Sequence, residues 1–120
     1  MQVITVIGET DAGKTTLLKY LFEQLKNSGG ELLFLKNSIG KNFEDFEAIL
    51  YWKGKKIGIC SIGDAQKYID NVIKEIIDQS LDFYINVVNT SLLSWYELNH
   101  SFANLKIIQI KKRKLYRTNN

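Results

Sequence analysis

The most informative pattern in this chain is Gly8-Glu9-Thr10-Asp11-Ala12-Gly13-Lys14-Thr15. It matches the pattern G-x-x-x-x-G-K-[ST] in full. Residues 2–7, which precede it, form a short apolar and β-branched run that predicts a buried strand. The residues after it place apolar side chains on one helical face: Leu17, Leu18, Leu21, Phe22 and Leu25. We therefore expect a turn that joins a buried strand to an amphipathic helix.

The residue types in this turn are those that a polyphosphate site needs. Gly8 and Gly13 permit backbone angles and close approaches that a Cβ atom would block. The successive N–H groups can then face inward, at the positive end of the following helix. Lys14 supplies an ammonium group for the β- and γ-phosphates, and Thr15 offers a hydroxyl to a bridging Mg²⁺ ion. The residues predicted to bind the nucleotide in this turn are Gly8, Glu9, Thr10, Asp11, Ala12, Gly13, Lys14, Thr15 and Thr16.

On this motif and its context, the chain resembles the P-loop nucleoside triphosphatase superfamily. The resemblance covers residues 3–26, and elsewhere it is one of architecture alone. It implies a small domain that binds a nucleoside triphosphate with Mg²⁺, with Lys14 in the catalytic role and Thr15 on the metal. Glu9 and Asp11 are less usual in such a loop. Glu9 is expected to face solvent, whereas Asp11 either faces solvent or orients a water molecule or a substrate hydroxyl.

A second magnesium ligand is expected where a neighbouring strand ends, since members of the superfamily usually have an aspartate there. The apolar run 57–62 is followed by Gly63 and then by Asp64, just beyond the carboxyl end of the strand, where open α/β sheets bind ligands. Asp64 is therefore predicted to hold a magnesium-bound water or to polarise the attacking water. Capping of the following helix explains its position equally well.

Further candidates leave the carboxyl ends of other strands. Asn89 and Thr90 follow the strand predicted over 81–88 and could face the γ-phosphate or the base, although an ordinary loop start explains them as well. The loop predicted over 36–45 corresponds in position to the first switch of small GTPases. It contains Ser38, Lys41, Glu44 and Asp45.

The remaining pattern predicts strands that alternate with helices. Strands are expected at 31–35, 46–52, 56–62, 81–88 and 105–110, and further helices after Asp64 and over 92–102. Lys53-Gly54-Lys55 predicts a hairpin between two of the strands. The fold class is therefore α/β: a single three-layer P-loop domain whose sheet is mainly parallel, with one antiparallel hairpin strand at its edge.

Composition and charge limit the class of protein, the domain bounds and the location that we expect. The chain has 120 residues, 45% of them apolar, and one cysteine, which excludes a disulfide scaffold. Of 16 basic residues, five lie in residues 111–120, which leaves 11 basic against 13 acidic residues in the body. We expect a nucleotide-binding domain over 1–110 and a basic tail over 111–120, without a nucleic-acid-binding face. No signal peptide or membrane span is predicted, and the expected location is the cytoplasm.

The choice of base and reaction stays open between three hypotheses. Small GTPases carry D-x-x-G and N-K-x-D motifs, which are absent here, so ATP is favoured over GTP. The chain has no arginine before Arg113, which favours slow hydrolysis because an arginine that stabilises the transferring phosphoryl group contributes about 10³–10⁵ in rate. A slow Mg²⁺-dependent ATPase that switches contacts with a protein partner or a second copy is favoured. A small-molecule or nucleotide kinase, and a binding module without turnover, are the alternatives.

Overall fold

The computed structural model describes residues 1–10, 12–39 and 45–111. Each predicted element of this part of the chain is present, although several bounds differ. The elements in chain order are β1 (Gln2–Gly8), α1 (Lys14–Asn27), β2 (Glu31–Ile39), β3 (Asp45–Trp52), β4 (Lys55–Cys60), α2 (Gln66–Ile76), β5 (Phe83–Asn89), a 3₁₀ turn (Thr90–Leu92), α3 (Leu93–Asn99) and β6 (Leu105–Gln109). Every helix among these residues is too short or too polar to span a bilayer.

The strands form one sheet in the order β2-β3-β4-β5-β1-β6. β4, β5, β1 and β6 run parallel to one another, whereas β3 is antiparallel to both β2 and β4. The predicted mainly parallel sheet is therefore confirmed. The prediction that the antiparallel strand forms the edge was wrong, because β2 pairs along the outer side of β3. This pairing also extends β2 to Ile39, into a segment that was predicted to be a polar loop from Lys36 to Asp45.

Helices cover both faces of the sheet, which gives three layers. On one face, α1 packs Leu18 and Phe22 against side chains of β1, β3, β4 and β5. On the other face, α2 packs Ile69 and Ile73 against the opposite side chains of the same sheet, and α3 adds the fully buried Tyr96. Cys60 lies in this second core, and burial raises the pKa of its thiol to about 12.

The hairpin turn predicted between β3 and β4 forms, and a second turn ends α1. After α1, Gly29 adopts φ +96°, and the N–H of Gly30 bonds to the carbonyl of Leu25, so this glycine pair ends the helix. Between β3 and β4, Lys53 and Gly54 both have positive φ, which matches the twist of a two-residue hairpin.

The predicted helix over 92–102 is shorter in the structure. It consists of the 3₁₀ turn and α3, which ends at Asn99. Ser94 and Glu97 have the spacing of a capping box, but they do not form one, because Leu92 occupies the N-cap position of α3 and no side chain caps the helix.

Candidate functional site

The G-x-x-x-x-G-K-[ST] turn lies at the carboxyl end of β1 and leads directly into α1. Gly13 is the N-cap residue, with φ 95° and ψ 18°, a left-handed conformation that favours glycine. No side chain of the described residues caps this 14-residue helix. The first N–H groups of a helix have no partner within it, so they are available to an anion at the positive end of the helix dipole.

Lys14 closes over the turn, as its predicted role requires. Its Nζ donates hydrogen bonds to the carbonyl oxygens of Gly8 at 2.9 Å and Glu9 at 2.8 Å. The side chain is 6% exposed, and its Nζ lies 3.9 Å from Oδ1 of Asp64. The ammonium group is therefore held at the mouth of the turn, where an incoming phosphate would meet it.

The hydroxyl of Thr15 donates a hydrogen bond to Oδ1 of Asp45 at 3.2 Å. The same carboxylate oxygen accepts a bond from Oγ of Ser61 at 3.1 Å, and Ser61 Oγ in turn accepts from the N–H of Phe46 at 2.9 Å. Asp45 is buried, and this burial raises the pKa of its carboxyl group, with a further rise from nearby Asp64, while the bonds from Ser61 and Thr15 act in the opposite direction. A buried carboxylate thus lies next to the hydroxyl predicted to bind Mg²⁺.

Asp45 was not among the predicted metal ligands, and the sheet topology explains why. Because β3 is antiparallel to β4, its first residue lies at the edge of the sheet where β1, β4 and β5 end. Its position corresponds to the first switch of small GTPases, which was the one indication in the sequence that Asp45 could lie near the site. The spacing of residues in the sequence does not predict its contact with Thr15.

Asp64 lies at the same edge, yet its surroundings differ from those predicted. β4 is not next to β1, since β5 lies between them. Helix capping by Asp64 is also wrong, because the N-cap residue of α2 is Ala65, with no side-chain cap. Oδ1 of Asp64 instead accepts a hydrogen bond from the side-chain amide of Asn89 at 3.1 Å, and the carboxylate is half exposed beside Lys14.

Asn89 connects three parts of the site. Its Nδ2 donates to Asp64 and to the hydroxyl of Thr10, both at 3.1 Å. Its Oδ1 accepts from the N–H and the hydroxyl of Ser91, at the start of the 3₁₀ turn. Asn89 therefore begins a local structure and also lies beside the turn, while its role towards the γ-phosphate or the base stays a prediction.

The other residues of the predicted turn have less specific surroundings. Glu9, the residue expected to face solvent, and Thr16 are exposed, and Ala12 is partly buried, with its N–H bonded to the carbonyl of Glu9 at 3.1 Å. Asp11 lies outside the described residues, as do Lys41 and Glu44. Within the described ranges, no group of three or more His, Cys, Asp or Glu side chains could hold a metal ion. A Mg²⁺ ion bound with a nucleotide needs no such group, because phosphates and water complete its shell.

Comparison with known proteins assigns the chain to a family. The family model described as ABC transporter matches residues 1–119. Comparisons with the curated proteins and with the solved structures found no significant match. The match implies ATP binding and hydrolysis, in agreement with the predicted preference, and gives no support to GTP. Since it spans almost the whole chain, the protein belongs to the ABC transporter family, whose ATPase domains are members of the P-loop NTPase superfamily.

Proposed function

We propose that this protein is a Mg²⁺-dependent ATPase with slow intrinsic turnover, in which residues 1–110 form the nucleotide-binding domain. The observation that supports it best is the cluster at the end of β1: Lys14 and Thr15 begin α1, and Asp64 and Asp45 lie beside them. An ammonium group, a hydroxyl and two carboxylates are the groups that a nucleotide with its hard metal ion requires.

The donors present fit Mg²⁺. The oxygens of Thr15 and Asp45 would hold the ion directly or through water, and Asp64 would hold a magnesium-bound water. When bound, Mg²⁺ neutralises charge that develops on the transferring phosphoryl group. Lys14 would bind the β- and γ-phosphates by exchanging its bonds with the carbonyls of Gly8 and Glu9 for phosphate oxygens.

Slow turnover is inferred from the side chains at the turn. Among the described residues, the side chains that contact one another at the turn include Lys14, Thr10, Asn89 and the carboxylates of Asp45 and Asp64, and the sequence holds no arginine before Arg113. The tail residues 112–120 lie outside the described residues. An arginine supplied by another protein would therefore raise the rate by about 10³–10⁵.

A role as a nucleotide-dependent switch is supported by the bonds of Asn89. Its amide bridges the turn through Thr10 to Asp64, which precedes α2. A triphosphate and its metal in the turn would compete for these same groups, and a change at Asp64 would reach α2 and the 3₁₀ turn.

The test is a phosphate-release assay with ATP and with GTP, in Mg²⁺ and in EDTA. We expect slow phosphate release from ATP without any acceptor, dependence on Mg²⁺, and a weaker response to GTP. ADP formation that requires an added acceptor would identify a kinase instead. Tight ATP binding without products would identify a binding module, and no ATP binding would refute the proposal.

A further inference from the structure

The edge strand β2 exposes an apolar surface that soluble proteins usually cover. Within the described residues no strand pairs with its outer side. Its four consecutive large apolar residues are 40% to 47% exposed: Leu32, Leu33, Phe34 and Leu35. A long apolar edge strand is a template for pairing with another chain. Glu31 and Lys36 flank these four residues, and the six together are called the edge segment below.

A bulge sets the direction of the side chains in the edge segment. Leu32 pairs with Leu50 and Leu35 with Ala48, so both lie on the face covered by α1. Phe34 pairs with Ile49, on the face of α2, and the register shifts at Leu33. Leu33 and Phe34 line one pocket together with Ile49 and Ile76 of the α2 face, so they share that face.

The charged residues at the ends of the segment, Glu31 and Lys36, also lie on the α2 face. Glu31 pairs with Tyr51 and Lys36 pairs with Glu47, and both partners alternate with the α1-side residues of β3. Because of the bulge, the faces along the edge segment read the same in both directions. Glu31 and Lys36 lie on the α2 face, Leu32 and Leu35 lie on the α1 face, and Leu33 and Phe34 lie on the α2 face.

This symmetry matters because directly opposed residues of antiparallel strands lie on the same face. Two copies of the edge segment that pair antiparallel can therefore place Glu31 opposite Lys36, Leu32 opposite Leu35, and Leu33 opposite Phe34. In an unbulged strand, residues an odd number of positions apart would lie on opposite faces, and this register would not form. Bulges often protect an edge from pairing, but here the bulge makes the segment complementary to itself.

We propose that β2 is the interface of a two-fold symmetric dimer, in which the edge segments of two copies of this chain pair antiparallel. The pairing joins the two sheets, buries the four apolar side chains of each copy, and places opposite charges at both ends. A second copy fits better than an unrelated strand, since both the apolar pattern and the charges match those of the segment itself. The interface does not include the nucleotide site, so it is independent of the proposed function.

The test measures the mass of the full chain by sedimentation velocity over a concentration series. We expect the wild type to form dimers. Glu31→Lys opposes two lysines at each end of the interface, and Lys36→Glu opposes two glutamates, so each variant alone should dimerise at least about tenfold more weakly. An equimolar mixture of the two variants should dimerise again, because every opposed pair then has opposite charges.

Two further variants keep the test independent of Lys36, which also lies next to buried Glu47. Leu32→Lys, on the α1 face of the segment, should be monomeric. Leu98→Lys, at an exposed apolar residue of α3, should dimerise like the wild type. All variants should unfold cooperatively on heating, as the wild type does, which shows that they are folded without relying on nucleotide binding.

Several results would overturn the dimer. A wild type that stays monomeric throughout the series would refute the dimer, and the partner of β2 would then be a different protein. Dimers that persist in Leu32→Lys, or a mixture of folded charge variants that does not reassociate, would place the interface elsewhere.

Discussion

The hydroxyl of Thr15 and the carboxylate of Asp45 are joined by a hydrogen bond of 3.2 Å, although 30 positions separate them in the sequence. The bond links the first turn of α1 to the first residue of β3. It brings a buried negative charge to the hydroxyl that the motif assigns to Mg²⁺. This relationship, together with Lys14 beside Asp64, supplies the first three predictions.

Lys14→Ala should abolish the thermal stabilisation by ATP and Mg²⁺, because the ammonium group at the mouth of the turn is lost. At a ligand concentration of 100 times Kd, the stabilisation of the parent would be about 2.7 kcal/mol. Thermal unfolding with and without nucleotide measures this loss. Lys19→Ala, an exposed lysine of the same helix, is the control and should respond like the parent. An unchanged response in Lys14→Ala would mean that the turn is not the nucleotide site.

Asp45→Asn should separate folding from metal binding. The amide oxygen can still accept bonds from Thr15 and Ser61, so the domain should fold, but the negative charge is gone. We expect Mg²⁺-dependent ATP turnover to fall at least about tenfold, or about 1.4 kcal/mol of transition-state stabilisation. A magnesium titration of phosphate release measures it, with the exposed Asp78→Asn as control. Full turnover in Asp45→Asn would assign this carboxylate to structure alone.

Asp64→Ala should lower Mg²⁺-dependent turnover while costing less than about 1 kcal/mol of stability, because the Asp64 carboxylate is half exposed and lies as far as 3.9 Å from the ammonium of Lys14. Loss of a true helix cap typically costs about 0.5–2 kcal/mol. Urea unfolding distinguishes the two cases when Asp64→Asn is measured in parallel. A loss near 2 kcal/mol in the alanine variant would restore the capping role that the structure does not show.

Glu47 makes the stability of the domain depend on pH. Burial raises the pKa of its carboxyl group above the ordinary value of 4.5, and nearby Glu75 raises it further, while Lys36 lowers it. Between 4.5 and the raised folded-state pKa, the folded state holds more protons than the unfolded state, so this group lowers stability as the pH rises.

Glu47→Gln should therefore be more stable than the parent at neutral pH, and the difference should vanish below pH 4.5, where both states are protonated. Urea unfolding across a pH series measures this difference, and Glu23→Gln on the surface of α1 is the control. A parent that gains stability relative to Glu47→Gln as the pH rises would contradict the assigned direction.

Gly63 positions Asp64, and its lack of a side chain is required. A Cβ atom there would clash with the carbonyl oxygen of Val87, which is backbone and cannot move away cheaply. We expect Gly63→Ala to cost about 3 kcal/mol, as severe overpacking does. Gly58→Ala is a matched comparison, since its Cβ would meet the tip of the Leu81 side chain, which can rotate, and it should cost about 1 kcal/mol. Equal costs by urea unfolding would show that β5 yields at Val87.

The local elements could be predicted from sequence because their signals are local. The motif around Lys14, the glycine pair after α1 and the hairpin turn at Gly54 each depend on neighbouring residues alone. ATP binding and hydrolysis, expected from the motif and the missing guanine signals, agree with the family match. The roles assigned to Mg²⁺ and to individual site residues stay predictions, as do the cytoplasmic location and the basic tail.

The errors at the sheet edge and at the site concern contacts between distant segments. The segment 36–39 reads as polar, yet it extends β2 because β3 supplies hydrogen-bond partners along its length. Asp64 has the sequence position of a helix cap, but Asn89 and Lys14 compete for its carboxylate.

The turn between β1 and α1 follows from consecutive residues alone, since backbone angles, a helix start and the place of a lysine are local properties. The carboxylate that meets Thr15 and the strand that lies at the edge depend on tertiary pairing. Strand order and direction come from pairings between distant segments, and the reversal of β3 is what carries Asp45 to the site and leaves β2 outermost.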